Sequence, residues 1–426
     1  MLLAVIFAGA QTKDAFSPEN TTLLQQIKQR AMADLASVPN YVCVDSIERS
    51  VWIPGERQFR RLDRIHLELA HIEGADRFSW LGNSVFELKS PAEMVGYGTS
   101  FRGDFADNRT LVFSNDWTKI SFADRVTADG RAALRYEYDV HRGALTVRNG
   151  NQSGLAAARG TFWIDPETLD LLQIDMEGYD IPARLALRSA VDHTMYWQVL
   201  IGHRKVLLAR SSEFLLTELD GTVRRNASVF SNCREYMAES TITFESSPPT
   251  QVPLPRVEET RVPPGLQLQL VLDRPLDANE AAIGDPIRAH VLKSVGSIRQ
   301  GTHVYGRVNR IINYNDQIPL PRPKRPPRPS EHPIWGQHSG ELQIGIEFSQ
   351  IEYRGNRVPF VARLIDIESP PGARDKQIRS FGYFEENEIV RYDPPGTASI
   401  YVLQENPVLG RGITMQWVTV PERGSS

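Results

Sequence analysis

Cysteine is scarce in this chain: Cys43 and Cys233 are the two that 426 residues contain. That count leaves room for one disulfide, with two separate buried thiols as the alternative. Positive charge has no surplus either, since 48 Lys and Arg face 52 Asp and Glu for a net charge of −4. No global basic field therefore draws nucleic acid to it. Long apolar runs are missing, and no stretch approaches the ~20 apolar residues of a transmembrane helix. Reaction motifs are missing as well: there is no G-x-S-x-G elbow, H-E-x-x-H, P-loop or G-x-G-x-x-G. "GNQSG" at 150–154 places Ser153 one position late for the elbow. His66 and His71 are an odd number of residues apart in a strand-like run, so they face opposite sides and share no metal. The expectation is a non-enzymatic chain with no cofactor and no metal.

What is present is ordinary globular composition, 41% hydrophobic and 23% charged, with 28 Pro and 30 Gly that imply many turns. The length suggests two or three domains. "MLLAVIFAGA" has an apolar run, Leu2–Ala8, ending in the small residues of a signal-peptidase site before Gln11. No Lys or Arg precedes the run, yet residues 1–10 are read as a signal peptide. Export to the periplasm or beyond makes a Cys43–Cys233 bridge the favoured state. Closing so long a loop contributes about 4–5 kcal/mol on the chain-entropy model.

Ser17-Pro18-Glu19 is a helix start, and Leu24, Ile27, Ala31 and Leu35 recur on one face of the helix that follows. From Tyr41 the period becomes two: Tyr41, Cys43, Ile47 and Val51 share a face, as do Phe59, Ile65, Leu67 and Leu69. Asp129-Gly130 and Asp220-Gly221 are hairpin turns between strand-like runs, so a meander of antiparallel strands is expected.

"GTFWIDPETLDLLQID" at 160–175 gathers four acids. Asp165-Pro166-Glu167-Thr168 supplies a turn-capping Asp and a Pro at the turn's second position, which makes the acids turn residues rather than a catalytic pair. Phe162 and Trp163 are neighbours in a strand, so one meets the interior and the other the outside.

This helix, the antiparallel run and the hairpin carried by Gly160, Phe162, Trp163, Asp165, Pro166, Thr168 and Leu172 resemble the bacterial LolA/LolB-like superfamily of lipoprotein carriers over about residues 17–245. The resemblance implies a strongly curved, incomplete barrel around an apolar cavity lidded by helices. The candidate cavity and lid residues are Leu24, Ile27, Met94, Tyr97, Phe101, Phe105, Phe162 and Trp163. The implied ligand is a lipid or acyl chain.

Residues 247–264 form a Pro-rich linker, and "GLQLQLVLDRPL" then places Leu266, Leu268, Leu270 and Leu272 on one face of a new strand. Residues 319–333 are a proline-rich segment with Arg322, Lys324, Arg325 and Arg328, read as an exposed loop open to an envelope protein partner. Gly265, Gly284, Asp285, Gly301 and Gly306 give residues 262–366 a similarity to the β-barrel domain of TrbI-like type IV secretion channel proteins.

The expected whole is mainly β with few helices: an N-terminal helix and curved antiparallel half-barrel over 17–246, then a small second barrel or sandwich over 265–421. Its expected role is that of an exported envelope carrier. The rival reading is a structural or interaction module without a ligand cavity.

Overall fold

The computed structural model describes residues 18–83, 85–95, 105–114, 117–128, 130–149, 152–236, 261–313, 341–368, 378–380, 396–403, 407–410 and 413–421. The leader-like residues 1–10, most of 247–264, the 319–333 segment, Tyr97 and Phe101 lie outside them. Two compact units divide the chain. Unit 1 takes residues up to Phe59, Leu69–Phe78 and Glu87–Tyr236, and unit 2 takes Arg60–Glu68, Ser79–Phe86 and the residues from Met237 onward. The protein is mainly β, as its turn-rich alternating sequence predicts.

The first half of the chain runs α1 (Pro18–Ala36), β1 (Tyr41–Trp52), β2 (Arg60–Ile72), β3 (Ala75–Trp80), α2 (Pro91–Val95), α3 (Phe105–Phe113), β4 (Lys119–Ala128), β5 (Arg131–Asn149), β6 (Gln152–Ile164), β7 (Leu171–Tyr179), β8 (Leu187–Ile201), β9 (Arg204–Glu218) and β10 (Val223–Glu235). The strands form one ten-stranded sheet in the order β3-β2-β1-β10-β9-β8-β7-β6-β5-β4. Strands β4 to β10 are thus a continuous meander, and β10 folds back to pair antiparallel with β1. Two edges remain, so the sheet is open.

Local chemistry accounts for the turns and helix starts. Gly130 and Gly221 adopt positive φ in the two expected hairpins. Asp165 Oδ1 accepts hydrogen bonds from the backbone N–H groups of Glu167 and Thr168 at 2.8 and 3.0 Å. At α2, Ser90 and Glu93 form a capping box. Glu93 Oε2 accepts from both the Ser90 N–H and the Ser90 hydroxyl at 2.7 Å, and Pro91 takes the first helical position. On α1, Ile27 and Ala31 are buried and Leu24 half-buried, which is the face its spacing predicts. Phe59 departs from expectation. It precedes β2 and is 40% exposed, its ring under the Arg225 guanidinium instead of in the core with Ile65, Leu67 and Leu69.

Cys43 and Cys233 form a disulfide between β1 and β10. The register shifts by one residue between Val42 and Val44, opposite the left-handed Asn232, and this bulge brings the two Cα atoms to 4.0 Å.

Unit 2 contains β11 (Gln267–Leu272), β12 (Leu276–Asp277), β13 (Pro286–Val291), β14 (His303–Asn313), β15 (Glu341–Tyr353), β16 (Asn356–Pro359), β17 (Ala362–Glu368), β18 (Ile378–Ser380), β19 (Thr397–Leu403), β20 (Val408–Leu409) and β21 (Thr414–Thr419). Nine of them make a curled sheet in the order β17-β21-β11-β13-β14-β15-β19-β18, with β16 on β15, while β12 pairs with β20. Leu268, Leu270 and Leu272 point inward, and Trp417 is fully buried between Phe348 and Phe360.

Candidate functional site

The inner face of the unit 1 sheet can be followed across the strands by register. One row runs Tyr136, Phe162, Ile174, Thr194, Ser212, Ser228, Ile47. The next runs Tyr138, Gly160, Met176, Asp192, Phe214, Asn226, Arg49. On β5–β7 each row is aromatic and aliphatic apart from Gly160, while on β8–β10 and β1 the polar Thr194, Ser212, Ser228, Asp192, Asn226 and Arg49 stand beside the apolar Phe214 and Ile47. The resemblance implies an apolar cavity; this face is apolar on one side and of mixed character on the other.

The apolar half is a stack. Phe162, fully buried, lies parallel to Tyr136 with centroids 5.1 Å apart, and Phe113 of α3 meets it edge-on at 5.0 Å. Of the neighbouring aromatic pair, Phe162 is therefore the inward residue, and Trp163 is half-buried on the other face between Arg135 and Gln173. Gly160 is needed here for space. A Cβ on it would lie 1.9 Å from the Asp175 carbonyl oxygen, to which the Tyr138 hydroxyl donates at 3.0 Å from the adjoining strand.

The polar half centres on Asp192, 3% exposed. Its carboxylate accepts from Asn108 Nδ2 of α3 at 2.6 Å, Ser212 Oγ at 2.7 Å and Thr194 Oγ1 at 2.9 Å. Burial raises the Asp192 pKa, and the hydrogen bonds from Ser212, Thr194 and Asn108 work against that rise. Beside Asn108, Arg109 is 2% exposed, donates to the Leu207 carbonyl at 3.3 Å and sits 5.6 Å from the Tyr196 ring centre. Tyr196 is 6% exposed, and its hydroxyl has no hydrogen-bond partner among the described residues. A cavity of about 20 Å³, the size of one water molecule, lies against Asp45, Ser212, Asn226 and Ser228.

Helix α3 roofs this face, and α1 packs on α3. Met94 is half-buried on α2, and Phe105 begins α3. Among the acids of the 160–175 hairpin, Asp170 is held by Arg30 of α1 at 3.0 Å and by Gln198 of β8, and Asp175 by Gln173 and by His193 of β8. His66 and His71 go to separate carboxylates, Asp285 and Asp76, each at 2.7 Å. Among the described residues no cluster of His, Cys, Asp and Glu has a metal-holding geometry, and no helix is long and apolar enough to cross a membrane.

Unit 2 carries an open cleft of about 590 Å³ with Leu276, Ile287 and Tyr305 in its lining. Asp273 forms part of its wall and accepts from His290 Nδ1 at 2.7 Å and from Arg288. Burial works to raise the Asp273 pKa, but these two partners outweigh it and hold the carboxyl below its ordinary value.

Asp192, Asn108 and their partners were not found from sequence. In "SAVDHTMY" the residues Ala190, Asp192, Thr194 and Tyr196 alternate with Val191, His193 and Met195, and hydropathy alone assigns the Val–Met face to the interior. The register and burial assign the other.

The class these observations define is a mainly β protein with a helix-roofed, open antiparallel sheet and a second β unit. No family model matches the chain, and no curated protein matches it. Among solved structures, a DUF1329 family protein from Desulfovibrio piger is similar over 51% of this chain and 95% of its own, at 12% identity and a TM-score of 0.26. A protein described as an outer membrane lipoprotein-sorting domain, from Vibrio parahaemolyticus, is similar over 51% of this chain and 93% of its own, at 12% identity and a TM-score of 0.28. Likeness of that depth carries no weight for ligand or partner.

Proposed function

We propose that this chain is an exported, non-catalytic protein of the bacterial cell envelope that carries an apolar ligand, a lipid or acyl chain, on the inner face of the unit 1 sheet. The observation that carries the reading is an aromatic floor, Tyr136, Tyr138 and Phe162, roofed by a helix of nine residues. A helix so short has little stability of its own. It is held here by the edge of Phe113 and by hydrogen bonds from Asn108 and Arg109, which water can replace as it leaves. Displacing α3 opens the floor without breaking the sheet. The disulfide supports an oxidising compartment. The cleft of unit 2 and the basic, proline-rich residues 319–333 are the proposed contacts for an envelope partner. The test is incubation of the full chain with a fluorescent fatty acid, together with native mass spectrometry of the freshly purified protein. Saturable uptake of one ligand per chain, or a co-purifying lipid, is expected. Neither would appear if the reading is wrong.

One observation favours the rival module without a ligand site: side chains fill the inner face, and the space beside Ser212 and Asn226 holds about one water. In that case α3 is a permanent part of the core, and both measurements come out negative.

A further inference from the structure

We propose that Asp192 selects the head group of the carried ligand, admitting an uncharged hydroxyl or amide head and rejecting a carboxylate. The inference rests on the carrier reading above and adds a substrate class to it. Three donors hold the Asp192 carboxylate, and all three are uncharged. Thr194 and Ser212 belong to the sheet and stay with it; Asn108 belongs to α3 and leaves when α3 is displaced. Arg109 is on the same helix and leaves with it, so the cation nearest Tyr196 departs just as the floor opens. His193 follows Asp192 in the chain but faces the other side of the strand, where it pairs with Asp175. Arg49 lies on the same inner row three strands away, roughly 14 Å at the usual strand spacing.

An opened floor therefore presents Asp192 with one accepting position vacated by an amide N–H. Four residues further along the same strand face is Tyr196, a buried hydroxyl with no hydrogen-bond partner among the described residues. Both side chains belong to the same buried face of β8, with Thr194 between them. A hydroxyl or amide head satisfies both, donating to Asp192 where Asn108 did and accepting from Tyr196. A carboxylate has no proton to donate and brings a second negative charge into a site with little water, where an unmatched charge is costly. The apolar tail lies along Tyr136, Tyr138 and Phe162, which continue the same two rows.

The experiment compares monopalmitoylglycerol with palmitate, two ligands of equal chain length, on the full protein below their aggregation concentrations. The wild type is expected to bind monopalmitoylglycerol at least about tenfold more tightly. Asp192→Asn keeps the shape and removes the charge, so palmitate gains and the ratio falls toward one. Tyr196→Phe weakens monopalmitoylglycerol more than palmitate and serves as the second variant. Circular dichroism of each variant checks that it is folded. Equal affinity in the wild type, or a ratio unmoved by Asp192→Asn, overturns the selectivity while leaving the carrier reading intact. Failure of both ligands to bind overturns the carrier reading, and the selectivity falls with it.

Discussion

Gly160 shows how much one residue can decide. It stands at the first position of the hairpin whose pattern resembles the lipoprotein carriers, and its lack of a side chain lets the Tyr138 hydroxyl reach the Asp175 carbonyl across two strands. Gly284 is a comparable case in unit 2. It has φ +100°, and a Cβ there would lie 2.2 Å from the His66 carbonyl. Gly160→Ala is expected to destabilise unit 1 by about 1–3 kcal/mol, because backbone must move to admit the methyl group. Thermal or urea unfolding measures it, and a shift within error of zero would show that the strands part freely. At this scale the sequence was legible for Asp165, whose role follows from turn chemistry, and for the placing of Phe162 and Trp163 on opposite faces, but not for which of the two is inward. It was illegible for Asp192. Alternation says which residues share a face but not which face is inward, and an Asp among apolar neighbours reads as outward.

At the scale of the element, α3 is the piece whose role the sequence least discloses. It carries little amphipathic pattern, because its inward side chains are of mixed kind: Asn108 and Arg109 for the polar half of the floor, Val112 and Phe113 for the apolar half. A helix facing a two-character surface has no single apolar stripe to detect. By contrast, α1 was legible through Leu24, Ile27 and Ala31, since its buried side is uniformly apolar. Phe113→Ala removes the edge contact with Phe162 at the apolar end of the roof. The variant is expected to lose about 3–5 kcal/mol of unit 1 stability and to take up the fluorescent fatty acid faster than wild type. Stopped-flow uptake is the measurement. Slower or unchanged uptake in a folded variant would mean that α3 does not gate the floor.

For the whole molecule, the controlling feature of unit 1 is the return of its last strand, β10, to its first, β1. β10 pairs with β1 along eleven register positions, and the Cys43–Cys233 disulfide, 190 residues apart in sequence, fastens that seam. Closing such a loop limits the unfolded chain far more than it affects the native one. The double variant Cys43→Ser with Cys233→Ser is expected to lower unit 1 stability by about 2–5 kcal/mol while preserving the sheet. Calorimetry at matched pH with and without reductant tests this. A native unfolding temperature in the reduced protein would assign the seam's strength to the strand pairing alone.

By itself the sequence determined the class: a mainly β chain with an opening helix, hairpin turns at Gly130 and Gly221, and two cysteines placed to bridge its first and last unit 1 strands. The helix and turns follow from local rules, because turn geometry, capping and strand alternation act over a few residues, and the bridge from there being two cysteines to pair. Only the tertiary structure decided that an aromatic cluster and the Asp192 polar cluster share the inner face, that Arg109 is buried, and that Asn108 meets Asp192 across 84 residues of sequence. Those facts depend on register between strands and on where a short helix is seated. Neither leaves a periodic trace, because the rows that make the floor run across the strands rather than along them.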